Sequence, residues 1–128
     1  MSYTIDRSFD AADFDAIVTR ARTALAAHGF GVLTEIDVAA TMKKKLDKDM
    51  PAYLILGACN PKMAYEAIGL EPKIGAMLPC NVIVRATAEG VTVSAVDPQA
   101  SMQAIENDGL IAVAGTVREM LANAVRDI

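Results

Sequence analysis

An α/β fold of the α+β kind, a two-layer sandwich with a mixed sheet of about five strands and about four helices in the order βαβαβαββα, is what this sequence predicts. Two observations carry most of that expectation. Leu110, Val113, Ala114, Val117, Leu121, Ala124 and Val125 recur at helical spacing and mark a long amphipathic closing helix. AYLILGAC, residues 52–59, is a nearly continuous apolar run of strand length, expected at the centre of a sheet covered on both faces. With 128 residues, 53% of them apolar and 22% charged, the chain suits one globular domain spanning residues 1–128.

The remaining elements follow in order. Tyr3, Ile5 and Arg7 alternate with Thr4 and Asp6 as a short opening strand. Phe14, Ile17, Val18, Ala21 and Leu25 then form a helical stripe, with Asp10 as the expected cap, Asp13 favouring the first turn, and His28-Gly29 closing the last one. FGVLTEID, residues 30–37, reads as a strand with Phe30, Val32, Thr34 and Ile36 on one face and Gly31, Leu33, Glu35 and Asp37 on the other. Asp37 is placed to cap a shorter helix carrying Val38, Met42 and Leu46 on one side, which Pro51 closes.

After the apolar run, Asn60-Pro61 pairs a capping side chain with a residue whose missing amide costs nothing in a first turn, so a helix is expected from there to about Ile68. Glu71-Pro72, Gly75 and Pro79 mark a loop. CNVIVRATAEGVTVSAV then predicts a hairpin turning at Glu89-Gly90 and ending at Asp97-Pro98, with Asn107 or Asp108 capping the closing helix.

Charge and composition exclude several classes of function. Twelve basic and sixteen acidic residues give a net charge of −4, and acidic residues separate Arg7 from Arg20 and Arg22 rather than leaving a basic stripe, so no nucleic-acid partner is expected. The opening MSYTIDRSFD has no signal-like apolar core and no stretch approaches membrane-spanning length, so a soluble cytoplasmic protein without a membrane partner is expected. Gly57 and Gly75 belong to no phosphate-binding glycine motif, and no cofactor is expected.

Chemistry concentrates around two cysteines. Cys59 and Cys80 match no CxxC redox pair or zinc framework, and in a reducing compartment both should be free thiols. Each is followed by an asparagine, so Cys59, Asn60, Cys80 and Asn81 are candidate ligand-binding residues whose amides both donate and accept hydrogen bonds. Cys59 precedes a helix start, where the dipole can activate a thiol, but a cysteine ending an apolar strand also serves as a small core residue. The two thiols meet only if the strand that Cys59 leaves and the strand that Cys80 enters run antiparallel.

Met63 lies four residues beyond Cys59 and Met77 three before Cys80, which would make a soft metal site suited to monovalent copper; methionines at such spacing also fill cores. Glu35 and Asp37 share a strand face about 7 Å apart and could pair as carboxylates; a cap for Asp37 and a solvated Glu35 is the competing account. His28, the single histidine, sits at a helix end. Lys43, Lys44 and Lys45 read as a solvated helix face. No base accompanies Cys59 in any motif, so small-ligand or sulfur-species binding is expected ahead of cysteine-dependent catalysis or redox sensing, with a structural dimerisation module as the third class.

GFGVLTEIDV, LGACNPKMAYEAI, EPKIG, LPCNV and the later DP together resemble the bacterial and archaeal domain of unknown function family three hundred and two. The positions that carry the resemblance are Glu35, Asp37, Gly57, Cys59, Asn60, Pro61, Pro79, Cys80 and Asn81. It implies a compact α/β fold, a homodimer, and no established reaction to transfer.

Overall fold

The strands β1 (Thr4–Asp10), β2 (Gly31–Asp37), β3 (Tyr53–Cys59), β4 (Cys80–Ala86) and β5 (Gly90–Val96) form one sheet in the order β1-β5-β4-β3-β2. The structure is a computed structural model that describes residues 2–128. Five strands and two layers agree with expectation, but the sheet is antiparallel at every pairing rather than mixed. Each connection returns the chain to the sheet end it left. Helix α2 (Val38–Leu46) and the loop over residues 47–52 bring the chain back so that β3 pairs antiparallel with β2 and starts at the end where β2 stops. Between β3 and β4, α3 (Pro61–Leu70) packs against a 3-10 turn over Pro72–Met77, and that folded-back pair likewise returns the chain to the end it left.

The apolar run 52–59 is not the central strand. β4 holds the middle of the sheet and β3 lies second from an edge. Leu54, Leu56 and Ala58 are buried on one face of β3, while Tyr53, Ile55 and Cys59 are half-buried. A half-covered apolar face mimics, in sequence, a strand covered on both sides.

Helices α1 (Phe14–Ala27) and α5 (Asp108–Arg126) pack on each other and against the sheet. All seven residues of the closing stripe are buried, meeting Ile17, Ala21 and Leu25 of α1 and Leu56, Val82, Val84, Val91 and Val93 of the sheet. Each valine, leucine or isoleucine among them contributes about 1.5–3 kcal/mol by leaving water, and each alanine less. A four-residue helix, α4 (Pro98–Ser101), was not foreseen; Asp97 caps it and also accepts from Arg118 Nε of α5 at 2.9 Å. Burial alone would raise the Asp97 carboxyl, but the Arg118 hydrogen bond and the amides of Ala100 and Gln99 hold it below its ordinary range.

Two local expectations change. β1 continues to Asp10, paired with Gly90, because the ladder to β5 satisfies more backbone than a cap would; Asp13 caps α1 instead, accepting from the Ala16 amide at 3.0 Å. In β2 a bulge between Val32 and Thr34 breaks the simple alternation. Val32, Glu35 and Asp37 therefore share the face of Ala58, Leu56 and Leu54, while Thr34 and Ile36 share that of Gly57 and Ile55.

The far end of α5 is held by the first strand. The Arg7 guanidinium donates to the carbonyls of Val125, Arg126 and Ile128, and Arg20 donates to Ile128. Both guanidinium groups lie over the Phe9 ring, at 4.6 and 5.1 Å from its centroid. Cations thus meet the negative end of the helix, in the geometry the dipole favours.

Candidate functional site

Cys80 opens β4 directly opposite Ala58 of the antiparallel β3, one residue from Cys59, so both cysteines reach the same end of the sheet. Both are free. They border a cavity of about 30 Å³ beneath α3, α4 and the first half of α5, completed by Met63, Met102, Val113 and other apolar side chains. By volume it has room for about two water-sized bodies, and its lining is almost wholly apolar. Cys80 is buried and Cys59 half-buried. Burial, reinforced by the neighbouring Cys59, pushes the Cys80 thiol up to about 11.

Asn60 stands at the cavity edge but is committed to structure. Its Oδ1 accepts from the Met63 amide at 3.0 Å as the α3 cap, and its Nδ2 donates to the Gly29 carbonyl at 3.0 Å. Asn60→Ala should cost about 1–2 kcal/mol in urea unfolding, with Asn60→Asp recovering part of it because only the cap is restored. Equal stability of both variants with the wild type would refute this double role.

The other candidate residues disperse. Asn81 pairs with Gly57, on the opposite sheet face from Cys80, and there borders a shallow depression with Asp6, Tyr53, Ile83, Arg85 and Thr92. Glu35 and Asp37 do share a face, as the spacing indicated, but not as a carboxylate pair. Arg22 Nη2 donates to Glu35 Oε2 at 2.6 Å, and Asp37 caps α2 through the Ala40 amide at 2.9 Å. The exposed Arg22–Glu35 ion pair contributes at most about 1 kcal/mol.

Met77 is exposed and does not border the cavity, whereas Met102 does. Met102 escaped sequence reasoning because the Asp97-Pro98 signal ended the strand without indicating that the next turn folds back over Cys80. His28 ends α1, and its Nε2 lies 2.8 Å from Asp127 Oδ2. That hydrogen bond holds the Asp127 carboxyl below its usual range. The imidazole is therefore engaged with α5 and not with Cys59. Lys43 pairs with Asp47 and Asp49 on the surface. No group of three or more His, Cys, Asp or Glu suited to a metal occurs among the described residues.

An antiparallel five-strand sheet layered with helices, with a free cysteine pair at one sheet end, defines a small α+β domain. Residues 5–128 match the family described as Domain of unknown function DUF302, and the chain belongs to it. It is also similar to a crystal structure of an uncharacterized conserved DUF302 protein from Bacillus stearothermophilus, at 22% identity and a TM-score of 0.87, over 98% of this chain and 95% of that one. At that identity the likeness speaks for the fold. No curated protein matches the chain. None of the described helices is long and apolar enough to cross a membrane.

Proposed function

We propose that this domain binds a small apolar or sulfur-bearing molecule, without transforming it, in the cavity at the ends of β3 and β4. The observation that carries the reading is the cavity itself: unfilled volume bordered by both cysteines and by two methionines, where protein cores are ordinarily close-packed. Catalysis by cysteine has less support. Cys80 holds its proton tightly, and the single histidine is bound to Asp127. The reading assumes a reducing cytoplasmic setting, in which both thiols stay free.

Methanethiol, which matches the size and softness of the cavity, is the probe of choice. Titration followed by amide NMR should shift residues bordering the cavity, around Ala58 to Met63, Cys80, Met102 and Val113, and leave the opposite sheet face unmoved. Shifts scattered over the surface, or none at millimolar probe, would remove the proposal.

A second reading, self-association, rests on a separate observation. α2 buries none of its residues, and Leu46, Leu33 and Ile36 are 61%, 67% and 49% exposed on α2 and the neighbouring edge strand β2. A second copy of the chain applied about a two-fold axis would cover this apolar edge. Sedimentation equilibrium should then give a dimer that Leu46→Glu dissociates; a wild-type monomer at high micromolar concentration would overturn it.

A further inference from the structure

Four sulfur-bearing residues line one cavity, and each arrives on a different element. Cys59 ends β3, Cys80 begins β4, Met63 lies in the first turn of α3, and Met102 follows α4. A methionine in a core is ordinary filler. Two free cysteines and two methionines lining space that none of them fills make up a set of potential donors.

The remaining lining sharpens its character. Asn60 is the one polar side chain among the other lining residues, and its amide is spent on the Met63 amide and the Gly29 carbonyl. No carboxylate or imidazole borders the space. Calcium and magnesium need oxygen ligands, which are missing. Zinc in structural sites takes four thiolate or imidazole ligands and would find only two. A soft ion of low charge that accepts thioether sulfur is what this set suits, and monovalent copper is that ion.

We propose that the cavity is a Cu(I) site, with Cys59 and Cys80 as thiolate ligands and Met63 and Met102 as thioether ligands. The inference rests on the reading of this cavity as a binding site and goes beyond it, assigning the cavity a metal ion as well as a small molecule. Binding breaks two S–H bonds, releases both protons to solvent and forms two thiolate S–Cu bonds and two dative thioether S–Cu bonds; copper remains monovalent and no electron moves. The centre then carries one negative charge, and α3, which begins at Pro61, places its positive end beside Cys59. Cys59 is the half-buried thiol, so an entering ion meets it first and passes inward to Cys80.

The test uses the full chain, reduced and anaerobic, titrated with Cu(I) held by the coloured chelator bicinchoninate. One copper per chain should be withdrawn, with an X-ray absorption shell of sulfur alone at about 2.3 Å. Loss of an outer-shell partner typically weakens a site 10–100-fold, so loss of a ligand through Cys59→Ser or Cys80→Ser should weaken it by more than about 100-fold. Met102→Leu, which keeps the volume of the side chain, should weaken it by about tenfold with the far-UV spectrum unchanged. Copper left on the chelator, a nitrogen or oxygen shell in the wild type, or undiminished binding by the doubly serine-substituted chain would overturn the inference. If copper is refused while methanethiol still shifts the cavity amides, the metal assignment alone falls; if both are refused, the binding reading falls with it.

Discussion

Gly90→Ala should cost about 3–5 kcal/mol of stability, the largest effect of any single methyl group in this chain. Gly90 opens β5 at φ +157°, and a Cβ there would stand 2.0 Å from the Phe9 carbonyl oxygen and 2.9 Å from the Ala11 nitrogen. Both are backbone atoms of the β1 end, pinned by the Asp10–Gly90 pairing and by the Ala11 amide bond to the Glu89 carbonyl. Neither can move without breaking the edge of the sheet. Gly69→Ala makes the control, since it sits in α3 with nothing within 4 Å of the added carbon and should gain about 0.5–1 kcal/mol. Urea midpoints decide the matter; equal behaviour of the two variants would show that the turn at Gly90 yields.

The second large effect is alkaline. An ordinary cysteine titrates near 8.5, whereas burial and then the proximity of Cys59 push Cys80 up to about 11. Folding therefore favours the protonated thiol. The associated stability is fully present below about pH 8.5 and is lost as pH rises through about 11, a total of about 3 kcal/mol. Wild type and Cys80→Ala should differ in the slope of stability against pH between 8.5 and 11, with the variant flatter. Parallel slopes would place the thiol in water. Iodoacetamide at neutral pH should accordingly label Cys59 and spare Cys80 until the chain unfolds, because the Cys80 thiolate is rarer by more than about 100-fold than that of a free cysteine.

Most local signals in this sequence were honest, Asp10 as a cap and the simple alternation of β2 excepted, and the non-local ones were not available. Asn60, Asp37 and Asn107 cap the helices their positions indicated, Gly90 turns the hairpin, and the closing stripe is buried at all seven positions. Each of these depends on neighbours a few residues away. Strand order, by contrast, depends on which partner a strand finds. AYLILGAC has the composition of a centre strand yet stands beside the edge strand, because β4 takes β5 on one side and β3 on the other.

The candidate site shows the same division. That Cys59 and Cys80 reach the same end of the sheet required antiparallel strands, a condition the sequence could state but not decide. Asn81 and Met77 look like partners of Cys80 by proximity in the chain. One faces the far side of the sheet by the period of a strand, and the other is exposed on the 3-10 turn. Met102, more than twenty residues from Cys80, is the methionine that the fold delivers.

The clasp between Arg7 and the end of α5 has a kinetic counterpart. β2, β3, β4 and β5 are built from consecutive pairs, each closing a short or helical connection, while β1 pairs with a strand that begins eighty residues later. Chain closure over that distance has to be met before any β1–β5 hydrogen bond repays it. The four-strand meander is thus the natural nucleus, and β1 and the end of α5 are expected to arrive together, late, as a single unit joined by two guanidinium groups over one phenyl ring. Weakening the clasp would then speed unfolding far more than it slows folding.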